Sequence, residues 1–470
     1  MKDEMKRTSI LFFLIGLYAA PRSFAQPDFR LPAIIGDHAV LQQSADVRLW
    51  GWCPAVWTMK IVCGWNPNDT VYTIPGRNNA WTATVKTPAA GGPYTIRFIG
   101  DKETKEIRDV LIGEVWLCSG QSNMEYSVKW GVSDAGDALK QPANRQIRFF
   151  QPAHAYADYP QDDCKGEWKL CDTASIRDFS AVAYFFGRSI NGHLQVPVGL
   201  IGSYWGGTAV QPWTPRKVYE EDTALAGLAG HIQPGWAPVA GSVIYNAMIH
   251  PLTRYRLAGV IWYQGESNNG EPADYGRLFS GMIGGWRVAF QQNLPFYYVQ
   301  IAPWDGYSGI NGALLREQQE AVLGMQPHTA MAAIGDLVTD VRELHPAAKR
   351  RVGERLANLA LKEHYGIDEI QPYFPKFSNW KMRRGNAVIT ISSIGRLVHS
   401  GKEITGFQLA GVDSVFYPAI AREESDGTII LKSHKVGIPI AVRYCFTNEG
   451  SPGLYDTNGL PLLPFRTDKW

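Results

Sequence analysis

The chain has 470 residues, of which 45% are hydrophobic and 19% are charged, so it is long and apolar enough to bury more than one core. Its 46 basic and 44 acidic residues nearly cancel, and no block of Lys and Arg recurs, which argues against a nucleic-acid-binding protein. At roughly 150 residues per domain, about three domains are expected.

Residues 1–25 have the pattern of a signal peptide. Basic residues among the first seven precede an apolar run from Ile10 to Ala20, and Ser23-Phe24-Ala25 supplies the small-x-small pattern of a cleavage site. The run is too short for a stable membrane span, although an uncleaved anchor is the alternative. We expect cleavage after Ala25 and a periplasmic or extracellular protein. The segment carries four basic and two acidic residues, so its removal leaves 42 of each.

Residues 26–110 favour a β-rich module. Short alternating runs such as VRLWGW, MKIVCGW, WTATVKT and YTIRFIG are separated by Asn, Gly and Pro turns. This spacing predicts a β-sandwich module.

Residues 111–370 alternate strand-like apolar runs with helix-like segments. This alternation predicts an α/β domain in which helices cover a central parallel sheet, with ligand sites at the carboxyl ends of the strands. From residue 371 to 470, strand-like runs return as AVITISS, TIILKS and PIAVRYCF. This β-rich tail either forms its own module or pairs with the amino-terminal one.

Ser122 is a candidate nucleophile because it follows an apolar run and opens a polar, helix-compatible stretch. There its hydroxyl would lie near exposed amides at a helix N-terminus. The sequence GQSNM has methionine where the nucleophile elbow of α/β-hydrolases has its second glycine, so a different serine-hydrolase architecture is needed. Taken alone, a serine after glycine is more often a helix cap.

His345 is the best candidate for a general base. It precedes Pro346 and would open a long amphipathic helix, HPAAKRRVGERLANLALKEHYG, so it is expected to be exposed and held by a rigid turn. His193, His250 and His364 are interpreted more simply as surface or packing residues.

Four motifs between residues 114 and 357 resemble the sialate O-acetylesterase family of the SGNH hydrolases. They are GQSNM, SYWGGT, QGESN, and ELHP followed by K-x-x-VGERLA, and the similarity extends to FRLPAIIGDHAVLQQ and SPGLYDTNGLPLLPFRTD. The resemblance implies an SGNH-hydrolase-like three-layer α/β domain with a central parallel sheet, flanked by amino- and carboxyl-terminal β-rich modules. It also implies an exported serine esterase that removes O-acetyl groups from sugars, with 9-O-acetylated sialic acids as substrate.

The resemblance also implies site roles. Ser122 would be the nucleophile and His345 the base, while the Ser122 amide, an amide of Gly206 or Gly207, and the Asn268 side chain would form the oxyanion hole. Apart from the resemblance, the two glycines fit an ordinary tight turn and Asn268 fits a loop cap.

The acid that supports His345 departs from the superfamily pattern. Many SGNH enzymes have aspartate three residues before the histidine, but Arg342 stands there and cannot accept a hydrogen bond. We predict Glu343 as the acid, with Asp340, Asp336 or a backbone carbonyl in a Ser-His dyad as alternatives. Glu343 would otherwise be a favourable charge near a helix start.

Further residues are candidates for the substrate pocket. Gln211 and Trp213 follow the glycine loop and either line the pocket or form a rigid turn; Gln121 and Glu266 are also predicted to line it. The glycine-rich segment 304–311 is either a lid or an inert connection. Some of the 16 tryptophans are expected to stack on sugar rings.

No metal or other cofactor is expected, because the chain has neither an H-E-x-x-H motif nor paired C-x-x-C motifs. In an exported chain the six cysteines permit bridges between Cys164 and Cys171 and between Cys53 and Cys63, while Cys118 is expected to be a buried thiol. Two alternatives remain for function: an acetylesterase of plant polysaccharides such as acetylated xylan, and a non-catalytic glycan-binding protein.

Overall fold

The computed structural model describes residues 29–136, 143–230, 237–393, 396–399, 401 and 403–470. The predicted signal peptide lies outside these residues. Within the described ranges, no helix is both long enough and apolar enough to cross a membrane.

The amino-terminal part is built from β-strands, as predicted. Two of them, β2 and β5, pair with each other, while β3, β4 and β6 form an antiparallel group that joins β7. The strands are β1 (Val40–Gln42), β2 (Asp46–Trp52), β3 (Met59–Cys63), β4 (Thr70–Thr73), β5 (Ala80–Lys86), β6 (Gly91–Ile99) and β7 (Thr104–Gly120).

Strand β7 connects the amino-terminal strands to the central sheet. Its first residues pair antiparallel with β6 and alternate between exposed and buried, whereas its last eleven residues are all buried and its carboxyl half pairs parallel with strands of the central sheet. Continuous burial is expected where both faces of a strand are covered. The predicted module boundary at residue 110 therefore falls inside a strand.

The central sheet has the strand order β13-β12-β11-β7-β10-β8-β9 and is parallel except for the β8–β9 pair. The added strands are β8 (Asn144–Phe150), β9 (Trp168–Cys171), β10 (Val198–Tyr204), β11 (Gly259–Tyr263), β12 (Phe296–Val299) and β13 (Thr329–Ala332). Their short apolar runs are buried, as in β11, where all five residues of GVIWY are buried.

Helices cover both faces of this sheet. They are α1 (Ser122–Glu125), α2 (Thr173–Asp178), α3 (Ala181–Leu194), α4 (Arg216–Glu221), α5 (Thr223–Ala226), α6 (Tyr275–Phe290), α7 (Asn311–Met325) and α8 (Arg350–Glu363). Trp116 of β7 packs in one core with α3 and α8, whereas its neighbour Leu117 packs in the other with α6 and α7. This three-layer α/β arrangement confirms the predicted SGNH-like fold.

The carboxyl-terminal strands enclose a third core, which includes Phe407, Leu409 and Tyr444. They are β14 (Lys376–Arg383), β15 (Asn386–Ser392), β16 (Leu397–His399), β17 (Phe407–Ala410), β18 (Phe416–Pro418), β19 (Ile420–Glu423), β20 (Ile429–Lys432), β21 (Ala441–Tyr444), β22 (Leu454–Asp456) and β23 (Phe465–Arg466). This agrees with the predicted β-rich tail.

The carboxyl-terminal part contacts the segment 304–311, which was predicted to be a lid or a connection. The Asn448 side chain donates to the carbonyls of Tyr307 (2.6 Å) and Gly309 (2.9 Å) and accepts from the amide of Gly312 (2.9 Å). Tyr307 is itself buried. These contacts hold the middle and the carboxyl end of the segment, which favours the connection over the lid.

The suggested disulfides are absent. All six cysteines lie among the described residues, and all six are free. Cys171 packs in the core with α3 and α8, whereas Cys164 packs against the opposite core. Cys53 directly follows β2, which belongs to a different sheet from the Cys63 strand, β3. Cys118 is fully buried, as predicted, and its burial raises the pKa of the thiol.

Candidate active site

Ser122 and His345 meet at the carboxyl edge of the central sheet. Ser122 is the first residue of α1, directly beyond the end of β7, and His345 lies in the long loop after β13. The Nε2 atom of His345 lies 2.8 Å from the Oγ atom of Ser122, a hydrogen-bonding distance, although the residues are 223 positions apart in sequence. The two residues predicted as nucleophile and base are therefore in contact.

The helix after His345 begins later than predicted. It starts at Arg350 rather than at His345, because both carboxylate oxygens of Asp134 accept the first helical amides, those of Arg350 and Arg351, at 3.0 Å. His345 therefore lies in a loop, followed by the buried Pro346. An irregular loop lets the ring turn towards Ser122.

The environment of His345 disfavours protonation of its ring. Burial lowers the pKa of the imidazole, the nearby Lys349 ammonium lowers it further, and the Glu343 carboxylate opposes both. Because only the neutral imidazole can accept a proton, this direction suits a general base.

The acid candidates occupy different positions. Asp336 is buried and bonded through both oxygens to Arg355, at 2.6 and 2.7 Å. Asp340 is bonded to Arg342, whose hydrogen bonds lower the pKa of that carboxyl to about 2. Glu343 is exposed and acts on the His345 ring through its charge, since no hydrogen bond among the described residues joins the two.

The glycine loop after β10 lies against the nucleophile. The Gly206 amide donates to Oε2 of Glu125 at 2.6 Å, so it is engaged within the protein. A Cβ atom added to Gly206 would lie 3.1 Å from the Ser122 Cβ, which shows how closely the loop approaches. Gly207 is exposed and its backbone φ is 71°. None of the described hydrogen bonds uses its amide.

Asn268 lies just beyond β11 with its amide group fixed. Its Oδ1 accepts from the Val210 amide (3.0 Å) and from Gln264 (2.8 Å), and its Nδ2 donates to Gln211 (2.9 Å). An amide nitrogen has two hydrogens, so one remains for a ligand. Because the Val210 backbone amide can only donate, it fixes which end of the Asn268 amide is the oxygen and which is the nitrogen.

The four side chains considered for the substrate pocket are all buried. Trp213 has no exposed surface and donates to Thr208, and Gln211 is occupied by Asn268. Gln121 accepts from two amides of the QGESN loop, and Glu266 is only 3% exposed. Their burial favours a role in supporting the site over direct contact with a bound sugar.

Sequence analysis did not identify two groups near Ser122. The first is a partly exposed surface in which the rings of His154 and Trp205 stack at 4.5 Å, with His154 Nε2 3.0 Å from the Tyr204 carbonyl and 3.4 Å from the Glu125 carboxylate. The second is buried: Asn123 is bonded to Glu266 and Lys349. Glu125 and Asn123 belong to GQSNME and Trp205 to SYWGGT, so the motifs themselves were the available signal.

The arrangement is suited to acyl transfer. A hydroxyl in contact with a neutral imidazole, beside amides that can stabilise an oxyanion, is what ester hydrolysis through a serine requires. In the described part of the chain, no group of three or more His, Cys, Asp or Glu residues is arranged to hold a metal ion.

Comparisons with known proteins agree with this chemistry. Residues 112–362 match the family model for carbohydrate esterases described as sialic acid-specific acetylesterases. Sialate O-acetylesterases of Rattus norvegicus and Homo sapiens are 27% and 26% identical, with 93% of this chain aligned to 94% and 92% of theirs. A carbohydrate acetylesterase from Xanthomonas citri has a crystal structure that matches with a TM-score of 0.85 at 33% identity, covering 94% of this chain and 100% of that one. The chain is therefore a carboxylic ester hydrolase that belongs to the sialic acid-specific acetylesterase family of carbohydrate esterases.

Proposed function

We propose that the protein is exported and removes acetyl groups from 9-O-acetylated sialic acids through an acetyl-serine intermediate. The observation that supports this most is the 2.8 Å contact between the Ser122 hydroxyl and the His345 imidazole at the edge of the sheet. Cleavage after Ala25 is part of the proposal and rests on the sequence of the first 25 residues.

In the first half of the reaction, the Ser122 oxygen attacks the acetyl carbonyl carbon while Nε2 of His345 takes the hydroxyl proton. The tetrahedral intermediate then collapses as His345 returns that proton to the departing sugar oxygen. In the second half, water attacks the carbonyl carbon of the acetyl-serine while His345 takes a proton from the water. Acetate then leaves as His345 returns that proton to the Ser122 oxygen. One imidazole thus acts as base and acid in each half.

The oxyanion would be held by neutral donors. We assign the amides of Ser122 and Gly207 and the Asn268 Nδ2. Ser122 opens a helix, so its amide has no partner within that helix. Gly207 is preferred over Gly206, because the Gly206 amide already donates to Glu125.

We propose Glu343 as the acid that stabilises the imidazolium, acting through its charge. Glu343→Gln should lower kcat/KM about tenfold, because the positive ring loses a favourable negative neighbour. Since Glu343 raises the pKa of His345, its removal should also move the acidic limb of the pH profile to lower pH. Rates with an aryl acetate from pH 4 to 9 measure both effects.

Glu369→Gln is the matched control, because Glu369 is an exposed glutamate elsewhere on the chain. If Glu343→Gln had the same kcat/KM and the same acidic limb of the pH profile as the wild type, a Ser-His dyad would replace the proposed triad.

The surface formed by His154, Trp205 and Glu125 is where we expect the sugar to bind. Stacked rings offer a flat face, and a carboxylate accepts hydrogen bonds from sugar hydroxyls. The Glu125 carboxylate would also repel a negatively charged group placed against it. This favours a binding mode in which the sialic acid carboxylate lies away from Ser122.

The negative charge of Glu125 also makes acetylated xylan a second candidate substrate, because a neutral polysaccharide is not repelled by that carboxylate. The Xanthomonas citri relative is a carbohydrate acetylesterase.

The substrate is tested by acetate release from 9-O-acetylated sialic acid and from acetylated xylan at matched ester concentration, with the Ser122→Ala variant as the blank. We expect a higher kcat/KM for the sialic acid. A preference for xylan would replace the substrate and keep the chemistry. No release from either, together with turnover of an aryl acetate, would contradict both substrates.

A further inference from the structure

A buried lysine lies behind the Ser122–His345 pair. Lys349 is 1% exposed, and its ammonium donates to the Oδ1 atom of Asn123 at 2.5 Å. It lies over the rings of Tyr126 and Tyr263, at 4.8 and 5.3 Å from their centroids. Lysines are almost never fully buried without a direct partner of opposite charge, so this position needs an explanation.

Asn123 uses its whole side-chain amide to join three motifs. Its Nδ2 donates to the buried Glu266 at 2.5 Å and to the carbonyl of Leu344 at 3.1 Å, while its Oδ1 accepts from Lys349. Asn123 directly follows the nucleophile, and Leu344 directly precedes the base. The amide therefore ties the serine segment to the histidine segment, and Lys349 fixes its orientation.

The acidic groups near Lys349 do not pair with it directly. Glu266 contacts Asn123 instead, and the carboxylate of Asp134 is occupied by two amides of α8. Among the described residues, no ion pair of Lys349 lies within 4.0 Å. An unneutralised charge in a low-dielectric interior acts strongly on groups around it, and one group on which the Lys349 charge acts is the His345 ring.

We propose that Lys349 is a positioning residue that holds the nucleophile and base segments in register through Asn123 and whose positive charge disfavours protonation of the His345 ring. This inference rests on the proposed roles of Ser122 and His345. It assigns a function to the lysine of the motif that follows ELHP.

The charged groups around the His345 ring determine the direction in which its pKa shifts. Lys349 disfavours the imidazolium and Glu343 favours it, while the uncharged Tyr126 ring lies 6.5 Å away. Burial lowers the pKa of Lys349 itself to about 7, and Glu266 and Asp134 oppose that shift. The ammonium is thus present below about pH 7, where His345 titrates. Removing it should raise the pKa of His345 and move the acidic limb to higher pH, opposite to the effect of Glu343→Gln.

The test compares Lys349→Gln with Lys349→Met. The glutamine has no charge but can still donate a hydrogen bond to Asn123, whereas the methionine has no charge and cannot donate. Lys349→Arg retains the charge, and Lys432→Met removes an exposed lysine from β20 as the matched control. The readouts are the NMR titration of the His345 ring and the pH profile of kcat and KM with p-nitrophenyl acetate. The NMR titration does not require catalysis, so it separates failure of this inference from failure of the proposed function.

We expect Lys349→Gln to raise the His345 titration midpoint and the acidic limb by about one pH unit. Lys349→Met should do the same and also lose about tenfold in kcat, with KM nearly unchanged. Lys349→Arg and Lys432→Met should keep the wild-type midpoint. An unchanged midpoint in Lys349→Gln, or an equal rise in Lys349→Arg, would overturn the proposal, and neither result depends on whether Lys349→Met folds.

Discussion

Replacing Ser122 by alanine should abolish ester hydrolysis while leaving the fold intact. In the proposed mechanism the hydroxyl oxygen forms the acetyl ester, and removing the nucleophile of a serine hydrolase costs roughly 10⁵- to 10⁶-fold in kcat. Stability should change by no more than about 1 kcal/mol, because one partly exposed hydroxyl and one hydrogen bond are lost. Acetate release, thermal unfolding and circular dichroism measure these quantities.

Covalent labelling identifies the nucleophile independently of the sugar. A fluorophosphonate should add one mass increment to the wild-type protein, on the peptide that contains Ser122, and none to Ser122→Ala. Ser378→Ala, at an exposed serine in β14, is the matched control and should react and hydrolyse like the wild type. Labelling of Ser122→Ala on another serine, or retained turnover, would reject the mechanism.

The contact between Ser122 and His345 was predictable, because both residues follow predicted strands of one parallel sheet. The carboxyl ends of such strands meet at the same edge, so the order of elements brings distant residues together. Buried apolar runs such as GVIWY in β11 made the strands recognisable. The fold class and the contact between Ser122 and His345 thus follow from local patterns together with the resemblance.

The module boundary was harder to predict because β7 changes its environment without ending. Its alternating half faces solvent on one side, and its buried half is covered on both. A change of hydrophobic period is also what two separate elements produce. Only the pairing of β7 with β6 and then with β10 and β11 distinguishes these cases, and that pairing is not local.

The start of α8 and the burial of the supporting residues also depend on distant contacts. Asp134, 216 residues before Arg350, caps the start of α8, so the helix begins five residues after His345. Gln211 is buried and accepts a hydrogen bond from Asn268, and Lys349 is buried and donates one to Asn123. A polar side chain that is satisfied by a remote partner has the same local sequence as an exposed one, so sequence patterns assigned Gln211 to the pocket.

Replacing His345 by glutamine should be almost as damaging as loss of the nucleophile. A glutamine amide can contact the Ser122 hydroxyl but cannot accept its proton at neutral pH, so kcat should fall by roughly 10⁵-fold or more. His193→Gln is the matched control, because His193 is exposed and bonded only to the carbonyl of Ser189 among the described residues. Rates with an aryl acetate and with an acetylated sugar test whether the loss is independent of substrate.

Two variants together distinguish a shared catalytic step from two separate structural defects. If Ser122 and His345 act as one unit, the double variant Ser122→Ala, His345→Gln should be no slower than Ser122→Ala, since the base has no proton left to accept. Free imidazole should restore part of the activity of His345→Ala but none of that of Ser122→Ala. Additive losses in the double variant, or equal rescue of both single variants, would show that the 2.8 Å contact does not carry the reaction.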